Sequence, residues 1–199
     1  MTTRSTIPWS SGRWTHPPEQ AVEEGADLVV TAREGSDAWR HTSYGFVHES
    51  EHALLAPLAV GRAVEVAVHV DMAEQFDQAG VFVRLGPPGT VDAWVKAGLE
   101  QADGVVQLGA VVTLGRSDWS VAPVPGWRGR TATVRVSRAA ESLTVRARVD
   151  DEPFALVRVC PAPEGVEVAA GPFTCAPSRP GWTARFRSWT ETEADAALH

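Results

Sequence analysis

Apolar residues alternate with polar or small ones along most of the chain, with the period of two that turns one face of a strand inward and the other outward. The pattern runs through residues 27–32, 63–70, 79–85, 93–101, 105–114, 131–137, 143–149, 155–160, 166–173 and 182–189. Clusters of Gly, Pro and Asp separate these runs, among them GPPGTVD, ADG, PVPGWRG, DDEP, PAPEG and APSRPG. Helical periodicity is nearly absent, and residues 190–198 (TETEADAAL), acidic and terminal, read as a frayed tail. Many short strands punctuated in this way predict an all-β jelly-roll sandwich of two antiparallel sheets. No repeat, linker or low-complexity stretch divides the sequence, so residues 1–199 read as a single sandwich domain.

The segment 77–119 allows a finer reading. Asp103-Gly104 stands between two alternating runs, and Asp-Gly favours a two-residue hairpin because both central residues need positive φ. That turn sets Glu100 opposite Gln107, Gly98 opposite Gly109, Lys96 opposite Val111 and Trp94 opposite Thr113. Matching apolar faces across the longer GPPGTVD loop sets Arg84 opposite Trp94, Phe82 opposite Lys96, Gly80 opposite Gly98 and Gln78 opposite Glu100. Gly80, Gly98 and Gly109 then lie side by side on the face away from the core. Strand glycines leave room for close approach to the backbone, and they also let a sheet bend. The row is therefore either the floor of a ligand trough or part of a curved, solvated face. As a trough it has Gln78, Glu100 and Gln107 on one side and Phe82, Arg84, Trp94 and Lys96 on the other.

Composition narrows the partners. A net charge of −7 offers no basic excess to displace counterions, which argues against a nucleic-acid partner. No apolar run of about 18 residues is present, so no membrane span is expected. The first residues lack the apolar stretch of a secretory signal, and the two cysteines, Cys160 and Cys175, read as free buried thiols; both point to the cytoplasm. Eight tryptophans against one tyrosine suggest that a few rings line a ligand surface.

Two further segments supply candidate contacts. DAWRHTSYGF (37–46) offers Trp39 and Arg40 at a rim, or else a turn held by an Arg–Asp pair. GRSDWS (115–120) brings Ser117 and Trp119 to the edge of the trough, an aromatic beside short polar groups that suits sugar recognition, or else a loop with Trp119 as a plug. Glycoside hydrolysis needs two carboxyls about 5–9.5 Å apart. Glu100 is the one acid placed on the trough face, with Asp71 and Glu65 as more remote partners and Asp77 pointing away by alternation. The six histidines show no metal-ligand spacing, and neither a Gly-x-Ser-x-Gly elbow nor a phosphate loop occurs, so no metal or cofactor is expected.

The stretches DAWRHTSYGF (37–46), DQAGVFVR (77–84), AWVKAGLE (93–100), SDWSV (117–121) and GPF (171–173) together resemble the family called domain of unknown function 1349, the regulation-of-enolase-like proteins. The resemblance spans roughly residues 9–189 and implies a concanavalin A-like lectin/glucanase sandwich, without implying a mechanism. The Glu-x-Asp-x-x-Glu pattern frequent in glucanases of that superfold is absent here. The resulting expectation is a binding module with a saccharide or similar small molecule in the trough. A glycoside-active enzyme using Glu100, or a regulatory domain with a protein partner, stands as the alternative.

Overall fold

The computed structural model describes residues 4–90 and 92–198. In chain order its strands are β1 (Ser5–Thr6), β2 (Arg13–Trp14), β3 (Gln20–Glu24), β4 (Asp27–Thr31), β5 (Ala38–Arg40) and β6 (Val47–Glu49). Then come β7 (His52–Pro57), β8 (Arg62–His69), β9 (Gln78–Leu85), β10 (Ala93–Ala102), β11 (Val105–Leu114) and β12 (Arg116–Pro123). The chain continues with β13 (Thr131–Arg138), β14 (Ser142–Val149), β15 (Ala155–Pro161), β16 (Val168–Cys175) and β17 (Thr183–Glu193). Among the described residues no helix is long and apolar enough to cross a membrane.

These strands form two antiparallel sheets packed face to face. The front sheet has the order β12-β11-β10-β9-β16-β7-β2, and the back sheet β15-β14-β13-β8-β17-β4-β3 with β1 added on β17. The alternation read from the sequence is what fills the space between them. Val81, Val83, Val95, Ala97, Leu99, Ala110 and Val112 of the front sheet meet Val64, Val66, Val68, Val134, Val136, Val145, Phe186 and Trp189 of the back sheet. Each fully buried aliphatic or aromatic side chain in such a layer contributes about 1.5–3 kcal/mol. Strand β14 shows the period plainly, with strictly alternating half-buried and buried residues.

The expected register of the central strands is present. Asp103 and Gly104 have φ of 53° and 79°, as a two-residue hairpin turn requires. Gly98 faces Gly109 on β11 and Gly80 on β9, and Glu100 faces Gln107 and Gln78. With β12 added, four rows cross the outer face of the front sheet: Arg84-Trp94-Thr113-Ser117, Phe82-Lys96-Val111-Trp119, Gly80-Gly98-Gly109-Val121 and Gln78-Glu100-Gln107-Pro123. The glycines are needed because neighbouring backbone already fills the Cβ positions. A Cβ on Gly98 would sit 2.7 Å from Gly80 Cα and against the Ala79 carbonyl oxygen.

At the C-terminus the structure corrects the reading of residues 190–198 as a frayed tail. Thr190–Glu193 continues β17, paired with β8. Beyond it, Asp195 accepts from Arg135 (Nε, 3.0 Å) and Arg146 (Nε, 3.0 Å), while Arg135 also reaches Glu65 at 2.7 Å. Two guanidinium groups on adjacent back-sheet strands hold the end in place, an interaction that periodicity does not report.

Because the clash at Gly98 is with backbone, Gly98→Val should destabilise the protein by about 1–3 kcal/mol or more. Gly126→Ala, where a Cβ meets nothing within 4 Å, should be close to neutral. Urea denaturation of the two variants checks this, and equal stabilities would show that the glycine row is not sterically required.

Candidate functional site

The outer face of the front sheet is not open. A small hairpin, β5–β6, lies across it and forms a second apolar cluster, in which Ala38 and Trp39 pack with Phe82, Trp94, Val111 and Phe173. The hairpin is fixed at one end by Ser117: its Oγ accepts from the Arg40 backbone N–H at 2.9 Å and lies 2.8 Å from Thr113 Oγ1. Arg40 also donates from Nε to the Gly115 carbonyl at 3.4 Å and pairs with Glu49. Ser117 and Arg40 therefore hold the roof in place.

The roof divides the face into two hollows. One, of about 370 Å³, lies beside the glycine row, between the hairpin and the central strands; Gly98 and Gly109 themselves line only a recess of about 20 Å³, shared with Phe173 and Val121. Its floor is Gln78, Lys96, Glu100 and Val111 from the central strands, and its walls are Trp39, Tyr44, Phe46, His48, Phe76 and Trp119, with Asp37 beside the floor. The other, of about 500 Å³, lies beyond Phe82 and Trp94 and is lined by Arg13, Trp14, His16, Glu51, Arg84 and Glu167 among others.

The sequence-derived candidates divide accordingly. Gln78, Lys96, Glu100, Trp39 and Trp119 meet at the first hollow. Phe82 and Trp94 stack on one another at 5.5 Å beneath the hairpin, 2% and 3% exposed, and touch only the second hollow. Arg84 also lines the second hollow, donating to the Gly86 carbonyl and facing Glu167 at 3.6 Å. Gln107 is buried and donates weakly to the Ala102 carbonyl at 3.4 Å, outside both hollows. Asp77 is fully buried on the core side, held by Arg179 and by the backbone N–H groups of Ala73 and Glu74. Glu65 lies on the back sheet with Arg135.

Several wall residues lay outside the sequence reading: Phe46, His48, Phe76, Pro177 and Ser178 all come from segments between or beyond the central strands. Phe76 has φ of 67°, and His41 and Ser43 in the hairpin loop have 61° and 62°. Left-handed backbone at non-glycine residues is costly, and here it occurs at one wall residue, Phe76, and in the loop of the roofing hairpin. Single-residue signals for such positions are weak, because an aromatic in a loop reads like any surface ring.

Electrostatics centres on Lys96, which is 4% exposed. Its Nζ donates to Asp37 Oδ1 at 2.6 Å and to Gln78 Oε1 at 2.8 Å. Burial, the largest single influence, depresses the ammonium's pKa, but Asp37, Cys175 and Glu100 together outweigh it and the net shift is upward. Glu100 has no such partner: its Oε1 is buried without a hydrogen bond among the described residues. Burial pushes Glu100 up to about 7, with Lys96 opposing and Asp37 and Asp103 reinforcing. Burial likewise raises Glu51, against the pull of His16.

Folded Glu100 therefore holds a proton that the unfolded chain releases from about pH 4.5 upward. Its contribution to stability is complete below that pH and is lost as pH rises through 7, roughly 3 kcal/mol in all. Glu100→Gln should remove this loss, so that the variant gains on the wild type across the window. Urea titrations at a series of pH values check it, and parallel curves would contradict an elevated Glu100.

Comparison with known proteins agrees with the architecture. The profile of the family described as "Protein of unknown function (DUF1349)" matches residues 14–194. "Regulation of enolase protein 1" of Saccharomyces cerevisiae is 34% identical over 191 residues, 96% of this chain and 94% of that protein. A crystal structure of a functionally unknown protein from Saccharomyces cerevisiae superposes with a TM-score of 0.86 at 32% identity, covering 96% of this chain and all of that one. A legume lectin-like domain from Entamoeba histolytica superposes at 0.60 with 9% identity over 98% and 97% of the two chains, a likeness of fold alone. The family match over residues 14–194 and the 34% identical relative covering nearly the whole length agree: this chain belongs to the DUF1349 family, and its fold is a lectin-like β-sandwich.

Proposed function

We propose that the protein is a binding module whose ligand, a saccharide or sugar-like small molecule, occupies the 370 Å³ hollow between the hairpin and Gln78, Lys96 and Glu100 of the central strands. The observation that carries this reading is the lining: aromatic walls around a few convergent polar groups. Small-molecule sites have this composition and a volume of about 300–1,000 Å³. Trp119, 39% exposed at the mouth, offers a ring face for the apolar side of a sugar, while Glu100 and Gln78 retain hydrogen-bonding capacity for hydroxyls. We also read the protein as cytoplasmic, because Cys160 and Cys175 are both free and buried.

One observation favours a second reading, a glycoside-active enzyme. Asp37 lines the same hollow as Glu100, and the two differ in environment: Asp37 is ion-paired with Lys96, whereas burial holds Glu100 near neutrality. One ion-paired carboxylate beside one carboxyl raised by burial is an arrangement that an acid and its partner can use. A protein-interaction role, which the yeast relative's name brings in, would instead use the exposed hairpin tip, Tyr44, Phe46 and Val47.

Thermal-shift screening against saccharides and small metabolites should yield ligands that raise the melting temperature by mass action. For such a ligand, Trp119→Ala should weaken binding by about 0.5–1.5 kcal/mol or more in calorimetry. Trp94→Ala should instead destabilise the fold by about 3–5 kcal/mol. Unchanged affinity in Trp119→Ala would remove the cavity as the site. Against chromogenic glycosides, turnover lost in Glu100→Gln with binding retained would support the enzyme, and turnover retained would remove Glu100 from it.

A further inference from the structure

We infer that the ligand of the roofed hollow carries a positive charge: the site takes an organic ammonium, an amino sugar or a related amine, in preference to a neutral saccharide. The inference rests on the reading of this hollow as a small-molecule site and specifies its ligand class. It comes from three features of the same cavity.

The first is an unmatched carboxyl. Among the described residues Lys96 is the only lysine or arginine lining the hollow, and two of its three N–H bonds are already given to Asp37 and Gln78. Those contacts neutralise Asp37 and leave Glu100 over. The charged and titratable groups around Glu100 among the described residues are these: Lys96 on β10 attracts its charge, Asp37 before β5 and Asp103 in the turn repel it, and His48 on β6 and Tyr44 in the hairpin loop line the same hollow. Its register neighbours Gln78 and Gln107 are uncharged, and neither bonds its Oε1. A buried carboxyl oxygen without a partner is costly. A ligand ammonium would supply both the missing donor and the missing charge, and a hydroxyl would supply only the donor. Rotation about the last side-chain bond, which is soft in glutamate, suffices to present the oxygen.

The second feature is the arrangement of the rings. Trp39 meets Trp119 at 89° and 6.3 Å between centroids, and Tyr44 at 67° and 5.7 Å. Tyr44 is stacked on Phe46 at 5.3 Å, and Phe46 meets His48 at 81°. At these separations the rings touch one another, edge to face or stacked, and they line the same hollow as Glu100. A ring face turned to the hollow attracts a cation through its quadrupole.

The third is the surrounding field. Two carboxyl groups of the hollow, Asp37 and Glu100, face one buried ammonium, and Glu51 in the neighbouring hollow, paired first with His16 at 3.7 Å, adds a further acid nearby. With a net charge of −7 on the whole chain, the long-range field also favours a cation's approach.

Calorimetry on the full chain with two matched pairs tests this: D-glucosamine against D-glucose, and choline against its neutral carbon isostere 3,3-dimethylbutan-1-ol. Each cation should bind at least about tenfold more tightly than its neutral counterpart. Choline keeps its charge at every pH, so its affinity should climb as Glu100 ionises. The climb should approach about tenfold per unit from about pH 5.5 to pH 6.5 and level off above about pH 7.5. Glu100→Gln assigns the effect: with folding verified by thermal denaturation, it should abolish both the discrimination and the climb. Glucose bound as tightly as glucosamine, with the alcohol equal to choline, would overturn the charge inference and leave the small-molecule reading standing. No binding by any of the four probes, together with no stabilisation by any saccharide or metabolite in the screen, would overturn both. A pH dependence that survives in Glu100→Gln would also overturn the inference.

Discussion

An ammonium group taken out of water has to recover its solvation from the protein, and at Lys96 that recovery organises the outer face of the front sheet. Asp37 at 2.6 Å and Gln78 at 2.8 Å supply it. Asp37 stands at the start of the hairpin that roofs the face, so the ion pair ties the roof to the strand beneath it. Breaking such a pair by removing one partner leaves a buried charge uncompensated, at a cost of about 3–5 kcal/mol. The cavity, its walls and the isolation of Glu100 all follow from the hairpin lying where this pair holds it.

The hairpin brings apolar surface of its own. Trp39 and Ala38 cover Phe82, Trp94, Val111 and Phe173, so part of the outer face becomes interior. What remains accessible is the area over Gln78, Lys96 and Glu100 on one side and the area around Arg84 and Glu51 on the other. Adjoining backbone fills the positions the glycine side chains would take, and Gly98 and Gly109 line a recess of about 20 Å³ with Phe173 beside it. Lys96 and Glu100, four apart on one strand and so about 13 Å from Cα to Cα, both line the larger hollow.

The sandwich is shared with lectin-like proteins that retain little sequence in common with it, and so the fold does not select a chemistry. Selection comes from the groups placed over the sheet: an ion-paired Asp37, a Glu100 held near neutrality, and rings set at steep angles. A carboxyl kept part-protonated at physiological pH can donate, accept or take up charge according to what enters.

The sequence by itself determined the sandwich, the Asp103-Gly104 hairpin and the register that aligns Gly80, Gly98 and Gly109, because strand alternation and turn chemistry are local and repeat every two residues. It also brought Gln78, Lys96, Glu100 and Trp119 to one face, since register alone decides that. It could not show that Trp94 and Phe82 would be covered, that Gln107 would turn aside, or that Asp37, Phe46 and Phe76 would close the cavity. Those outcomes depend on where a short hairpin and several loops come to rest on the sheet. The terminal strand followed the same logic: Asp195 is fixed by Arg135 and Arg146 from strands 60 and 49 residues away in the chain. Contacts between segments so distant in sequence leave no periodic trace, and only packing in three dimensions decides them.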